Sequence, residues 1–207
     1  MPHLYLIRHA ENDYVRQQRL AGRLPGIHLN ETGRRQTAAL AALLEPVRLH
    51  IIASSPMERA QETALPIAEQ QHLTVQTLDG LNEMDYGTWQ GKTLKTLRRR
   101  RIWPLIQQRP SRAAFPGGES FLAAQVRAAA VVEQLLEDFP RDRHNIACVS
   151  HADIIKLLVA HFLGLSMDYF QRIHVAPASL TIFNFRENLC QLISLNDQRA
   201  SQTMSSL

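Results

Sequence analysis

Arg8, His9, Arg59 and His151 are the residues whose types and placing point to chemistry. Arg8-His9 ends the apolar run of "LYLIRHAEN". Arg59 closes the first turn of the segment that follows "RLHIIAS" and Ser54-Ser55, and His151 ends "NIACVSH". In open α/β sheets, ligands bind beyond the carboxyl ends of the strands. Three strand ends therefore present two guanidiniums and two imidazoles to one side of a sheet. The helices that follow add unpaired N–H groups and the positive ends of their dipoles. Donors with so little acidic compensation suit an anion, whereas a metal ion would need carboxylates or thiolates and would be repelled by arginine. Phosphate fits best, because the planar fork of arginine matches its oxygens. The other histidines, His174 among them, lack such neighbours and read as surface or core residues.

The elements that must position these residues alternate along the chain. Leu4–Ile7, "RLHIIAS", "LTVQTL" and "HNIACVS" read as strands, and "SLTIFNF" with "LCQLISL" as a closing hairpin turning near Glu187 and Asn188. Asn30–Glu45 reads as a helix capped by Asn30. "SPMERAQETALPIAE" reads as a second, with Ser55 as N-cap, Pro56 in the first position and Glu58 as the capping-box acid. "ESFLAAQVRAAAVVEQLLEDF" puts Phe121, Ala128, Val132 and Leu135 on one helical face. "ADIIKLLVAHFLG" is apolar nearly all round and so belongs between layers. The pattern predicts a three-layer α/β/α fold on a mostly parallel mixed sheet, as one domain over residues 1–207, with a loose polar tail after 197.

The bulk properties bound the rest. Of 207 residues, 45% are hydrophobic, and the formal charge is +4. That composition suits a globular domain with a sizeable core, and its mild basicity does not single out nucleic acid. The two cysteines, Cys148 and Cys190, make neither a disulfide framework nor a metal-ligand spacing. No apolar run is long enough for a membrane span, so a cytoplasmic location is the default expectation.

"LIRHAEN", "SSPMERAQET", "LNEMDYGTWQG" and "VSHADII" stand in the order and spacing of the histidine phosphatase superfamily, the phosphoglycerate mutase-like group. The resemblance runs from Leu4 to about Phe185. "AGRLPGIHLNETGRRQ" and "FPGGES" further resemble a bacterial subgroup of phosphomutases or phosphatases. The resemblance implies that His9 is a nucleophile forming a phosphohistidine, with Arg8, Arg59 and a charged His151 around the phosphoryl oxygens. It also implies that Glu83 protonates the leaving group, with Asp85 a nearby competitor. Ala10 and Ala152 stand where relatives often carry glycine. Val15 stands where mutase-type members carry a phosphate-binding asparagine, a donor that Asn12 or loop amides near Gly22 would replace. No cofactor or metal is implied.

Residues 88–118 occupy the place of the superfamily's lid insert, and here it is short. It carries "LKTLRRRRIW", in which Arg98–Arg101 cannot all face one way, since successive helical residues point about 100° apart. One or two of them would reach a second anionic group, and Trp89 and Trp103 would stack on a ring or pack at loop edges. The expected function is metal-independent phosphomonoester hydrolysis on a small phosphorylated metabolite. The rivals are a phosphoglycerate mutase-type phosphomutase, a phosphohistidine or phosphoprotein phosphatase, and a non-catalytic phosphate-binding regulatory module. The expected partner is a small phosphate ester, not nucleic acid or membrane, and homodimer formation is left open.

Overall fold

The computed structural model describes residues 2–140, 144–186 and 189–202. Six strands form one mixed sheet: β1 (His3–Arg8), β2 (Ile51–Ser54), β3 (Val75–Thr77), β4 (Asn145–Ser150), β5 (Leu180–Arg186) and β6 (Leu189–Asp197), in the order β3-β2-β4-β1-β5-β6. β3, β2, β4 and β1 run parallel, while β5 and β6 are antiparallel additions at one edge. The parallel set aligns the carboxyl ends of β1, β2 and β4.

The two-residue period of a strand sends alternate side chains to opposite faces, and two cores result. Leu4, Leu6, Ile146 and Cys148 pack on one face, against α6 (Phe121–Asp138) and α7 (Ala152–Phe162). Ile7, Ala147 and Val149 pack on the other, against α2 (Glu31–Leu44) and α3 (Glu58–Gln70). Those layers match the expected fold class. α6 buries Phe121, Ala128, Val132 and Leu135 as its periodicity predicts. The remaining helices are short: α1 (Asp13–Arg16), α4 (Leu94–Leu97), α5 (Trp103–Gln108) and α8 (Arg199–Gln202).

Caps follow the sequence in part. Asn30 Oδ1 accepts from the Gly33 N–H at 2.8 Å at the start of α2. The expected cap of α3 is not at Ser55. Met57 is the N-cap and makes no side-chain cap bond. Ser55 Oγ instead accepts from the Met57 N–H and meets His151 Nε2 at 2.8 Å, and Glu58 Oε1 accepts from the Gly26 N–H. Of the tail expected to be loose, α8 is described and buries Ala200, while residues 203–207 lie outside the described residues. The turn at Glu187 and Asn188 lies outside the described residues. Among those described, no helix is long and apolar enough to cross a membrane.

One glycine sets how closely the loop after β1 can approach its support. A Cβ at Gly33, in the first turn of α2, would collide with the backbone oxygen of Glu11, in the loop that also hydrogen-bonds Asn30 and Gln36. Gly33→Ala gains about 1 kcal/mol of helix propensity. The opposing atom is backbone, so overpacking at roughly 1–3 kcal/mol wins. Urea unfolding is expected to show a net loss of stability in this variant.

Candidate active site

Register brings the two histidines together. Arg8 pairs with Ser150, so His9 and His151 follow side by side with ring centroids 5.1 Å apart. Arg59 enters from the first turn of α3 and Asn12 caps α1. Arg8, His9, Asn12, Arg59 and Glu83 all border one cavity of about 280 Å³. His151 lies just behind this wall, fully buried, with its Nδ1 3.2 Å from Arg59 Nη2 and 3.8 Å from Glu83 Oε2. Gly22 is also behind the wall, and its carbonyl accepts from Arg59 Nη2 at 2.8 Å.

The arginines are only partly satisfied. Arg8 Nη1 donates to the Val175 carbonyl at 2.7 Å. Arg8 Nε, Arg59 Nε, Arg59 Nη1 and Asn12 Nδ2 are buried without a partner. An unmet buried donor costs about 1–3 kcal/mol, yet here all belong to residues that border a single cavity. Asn12 Oδ1 is used in capping Val15 N–H, so its amide nitrogen is the end left over. Val15 itself borders the cavity and contributes no donor. Neither Ala10 nor Ala152 has a positive φ, so the methyl groups are accommodated without strain.

Hydrogen bonds select the tautomers. His9 Nδ1 lies 2.8 Å from the Ala10 carbonyl and must carry the proton to bond it, which leaves the Nε2 lone pair free. Arg59 can only donate, so His151 Nδ1 is the acceptor and its Nε2–H faces Ser55 Oγ. Burial, then the charges of Arg59 and Arg8, push the pKa of His9 well down. The same occurs at His151, through burial, Arg59 and His9. The sequence reading expects His151 charged; this environment favours the neutral ring.

Glu83 is treated the opposite way. Burial first, and then the negative charge of Asp153, raise its carboxyl to about 7, against the opposing pull of Arg59 and Arg8. Its Oε1 accepts from the Met84 N–H at 2.9 Å. Asp153, in the first turn of α7, accepts from Tyr86 Oη at 2.8 Å and lies 3.3 Å from Lys156 Nζ. Asp85, the competitor, binds the Gly87 N–H and does not border the cavity.

Residues that sequence reasoning passed over hold the Glu83 loop. Arg127, from α6, donates to the carbonyls of Gly80, Asn82 and Glu83 and is paired with Glu119 at 2.7 Å. Glu119 Oε1 also accepts from the Asp85 N–H, and Arg23 joins it from the other side. The signal for Arg127 is a lone arginine inside the apolar "FLAAQVRAAAVV". Arg19, Lys156 and His174 also border the cavity; sequence reasoning took His174 as ordinary.

Residues 4–198 match the model of the histidine phosphatase superfamily (branch 1). The chain is 30% identical to phosphoserine phosphatase 1 of Hydrogenobacter thermophilus, over 95% of this chain and 92% of that one. It is 28% identical to the adenosylcobalamin/alpha-ribazole phosphatase of Escherichia coli, over 94% and 96%. The structure of mycobacterial glucosyl-3-phosphoglycerate phosphatase in complex with VO3 superposes with a TM-score of 0.87 at 28% identity, covering 94% of this chain and 98% of that one.

The Glu83 environment gives a direct test. Its carboxyl carbon, followed by ¹³C NMR, is expected to titrate near pH 7. Asp153→Asn should move the midpoint down, because it removes a negative charge that disfavours the carboxylate. A midpoint near the unperturbed value of about 4.3 in the unmodified chain would contradict the geometry.

Proposed function

The chain belongs to the histidine phosphatase superfamily, and on that premise we propose that it is a metal-independent phosphomonoesterase. It works through a phosphohistidine intermediate on a small phosphorylated metabolite. The observation that carries this reading is the convergence of unpartnered donors from Arg8, Arg59 and Asn12 beside the free Nε2 of His9.

A phosphomonoester resists hydrolysis because its charge repels nucleophiles and its alkoxide leaves poorly; enhancements approach ~10²¹-fold for such reactions. Arg8 and Arg59 address the first difficulty by stabilising charge on the equatorial oxygens as it spreads in the transition state. They take the charge-neutralising part that a metal plays elsewhere. Asn12 Nδ2 supplies the donor that Val15 lacks. His151 acts from behind, holding the Arg59 fork through Nδ1 and standing beside Glu83. Gly22 fixes the same fork through its carbonyl.

His9 Nε2 attacks phosphorus while the P–O ester bond breaks. The leaving alkoxide takes the proton of Glu83 and departs as an alcohol. Water then attacks the phosphohistidine, Glu83 accepts its proton, the N–P bond breaks and inorganic phosphate is released. A neutral imidazole and a carboxyl with a raised pKa are the two protonation states the first step needs, and the site favours both. The phosphatases among the relatives support hydrolysis, as does the absence of a donor at Val15.

Hydrolysis of a generic phosphomonoester is expected to persist in EDTA. His9→Ala should abolish turnover, and quenching the unmodified protein during turnover should trap acid-labile, base-stable phosphate on it. kcat/KM should fall as pH rises above about 7, because the free enzyme then loses the Glu83 proton. Full activity in His9→Ala would overturn the assignment.

A further inference from the structure

A second cavity, of about 260 Å³, adjoins the first. Leu20, Tyr86, Leu94, Asp153 and Lys156 border both and form the neck between them. Beyond the neck the walls change character. Trp89, Trp103, Phe115, Phe121 and Ile106 are apolar, with Arg98, Gln107 and Gln171 supplying polar groups. Trp89 and Trp103 lie with ring planes 15° apart, and Phe115 meets Trp89 edge-on. The catalytic chemistry described above uses none of these residues.

Small-molecule sites fall at roughly 300–1,000 Å³, so the first cavity alone is modest and the two together are not. Its arginines hold the phosphoryl group, Glu83 borders the same cavity, and the neck opens at Asp153, whose charge acts on Glu83. Trp103 is half-buried and offers the open aromatic surface here, with Trp89, Phe115 and Phe121 buried behind it; such a surface favours a flat ring over a branched polyol. Lys156 Nζ, whose contacts at the neck are long, 3.3 Å to Asp153 and 3.4 Å to Gln171, keeps donor capacity for an oxygen on the linker.

We propose that the cavity walled by Trp89, Trp103, Phe115 and Ile106 is the leaving-group subsite. The substrate class is then a phosphomonoester whose alcohol carries a flat ring a short linker away from the ester oxygen. This deepens the phosphatase reading and rests on it. Of the arginine run, Arg98 alone borders the cavity, and Arg99, Arg100 and Arg101 are exposed.

The chain's two tryptophans both line this cavity, so intrinsic fluorescence reports its occupancy independently of turnover. His9→Ala protein is titrated with 2-phenylethyl phosphate, ethyl phosphate, butyl phosphate and inorganic phosphate. The ring ester is expected to change the emission saturably and to bind about tenfold or more tightly than ethyl phosphate. Equal affinity and equal emission change for the ring and ethyl esters would overturn the proposal. A butyl ester as tight as the ring ester would overturn the ring assignment. The two leaving alcohols of the ring and ethyl esters are chemically alike, so in the active enzyme the kcat/KM ratio isolates the ring. Trp103→Ala, which opens the subsite, and Gln107→Phe, which fills it, should each bring that ratio towards 1. An unchanged ratio in both would remove the subsite from this location. Failure of the unmodified chain to release phosphate from any ester defeats the phosphatase reading instead, and the binding titration still decides whether the cavity takes a ring.

Discussion

Two guanidiniums taken out of water are what the rest of the structure answers to. Arg59 is fully buried and Arg8 half-buried with its Nε shielded, and burial pulls both pKa values down. Neither loses its proton in a protein, and leaving one unpaired costs several kcal/mol. The fold gives each a backbone carbonyl, Val175 for Arg8 and Gly22 for Arg59, pairs Arg59 with His151 as well, and leaves Arg8 Nε, Arg59 Nε and Arg59 Nη1 unpartnered in residues that border one hollow. A dianion entering that hollow completes bonds already oriented for it. Most of the reorganisation is done when the chain folds.

A parallel sheet suits this work because its strand ends are fixed by register. The loops beyond those ends are then tied to one another. Thr63 accepts from the Ala10 N–H and donates to the Arg59 carbonyl, so the residue after His9 and the backbone of Arg59 share one hydroxyl. Gly33 lets α2 press directly on the Glu11 backbone. Arg127 and Glu119 do the equivalent for the Glu83 loop, which has no strand of its own and would otherwise be free to drift. Positional error of even 1 Å can be expensive in phosphoryl transfer, and the ties are densest where regular structure is absent.

What was legible in the sequence was what local pattern carries. The apolar runs, the Asn30 cap and the apolar stripe of α6 follow from periodicity and side-chain chemistry. The strand-end rule placed Arg8, His9, Arg59 and His151 near one another before any distance was known. Tertiary competition was not legible. Ser55 reads as a cap, yet His151 claims its hydroxyl, and no local pattern announces a partner ninety-six residues away. The pull on His151 towards the neutral ring is not legible for the same reason, since desolvation depends on what surrounds the ring in space. Arg127 and His174 were passed over because their roles lie across the fold.

The same two arginines act in opposite senses on their neighbours. Their positive field, added to burial, disfavours protonation of His9. On Glu83 that field favours the ionised form, which would spoil it as an acid. Burial and Asp153 outweigh it, and the carboxyl ends near 7. Asp153 is in turn held by Tyr86 and Lys156, groups at the neck of the aromatic cavity. The wall proposed to receive the alcohol is therefore also a wall that raises the proton affinity of Glu83. A leaving group that displaces water from the neck also lowers the local dielectric around Asp153 and Glu83 and strengthens their repulsion. On the proposed mechanism, binding the alcohol in this place would help keep the proton on Glu83 until the ester bond breaks.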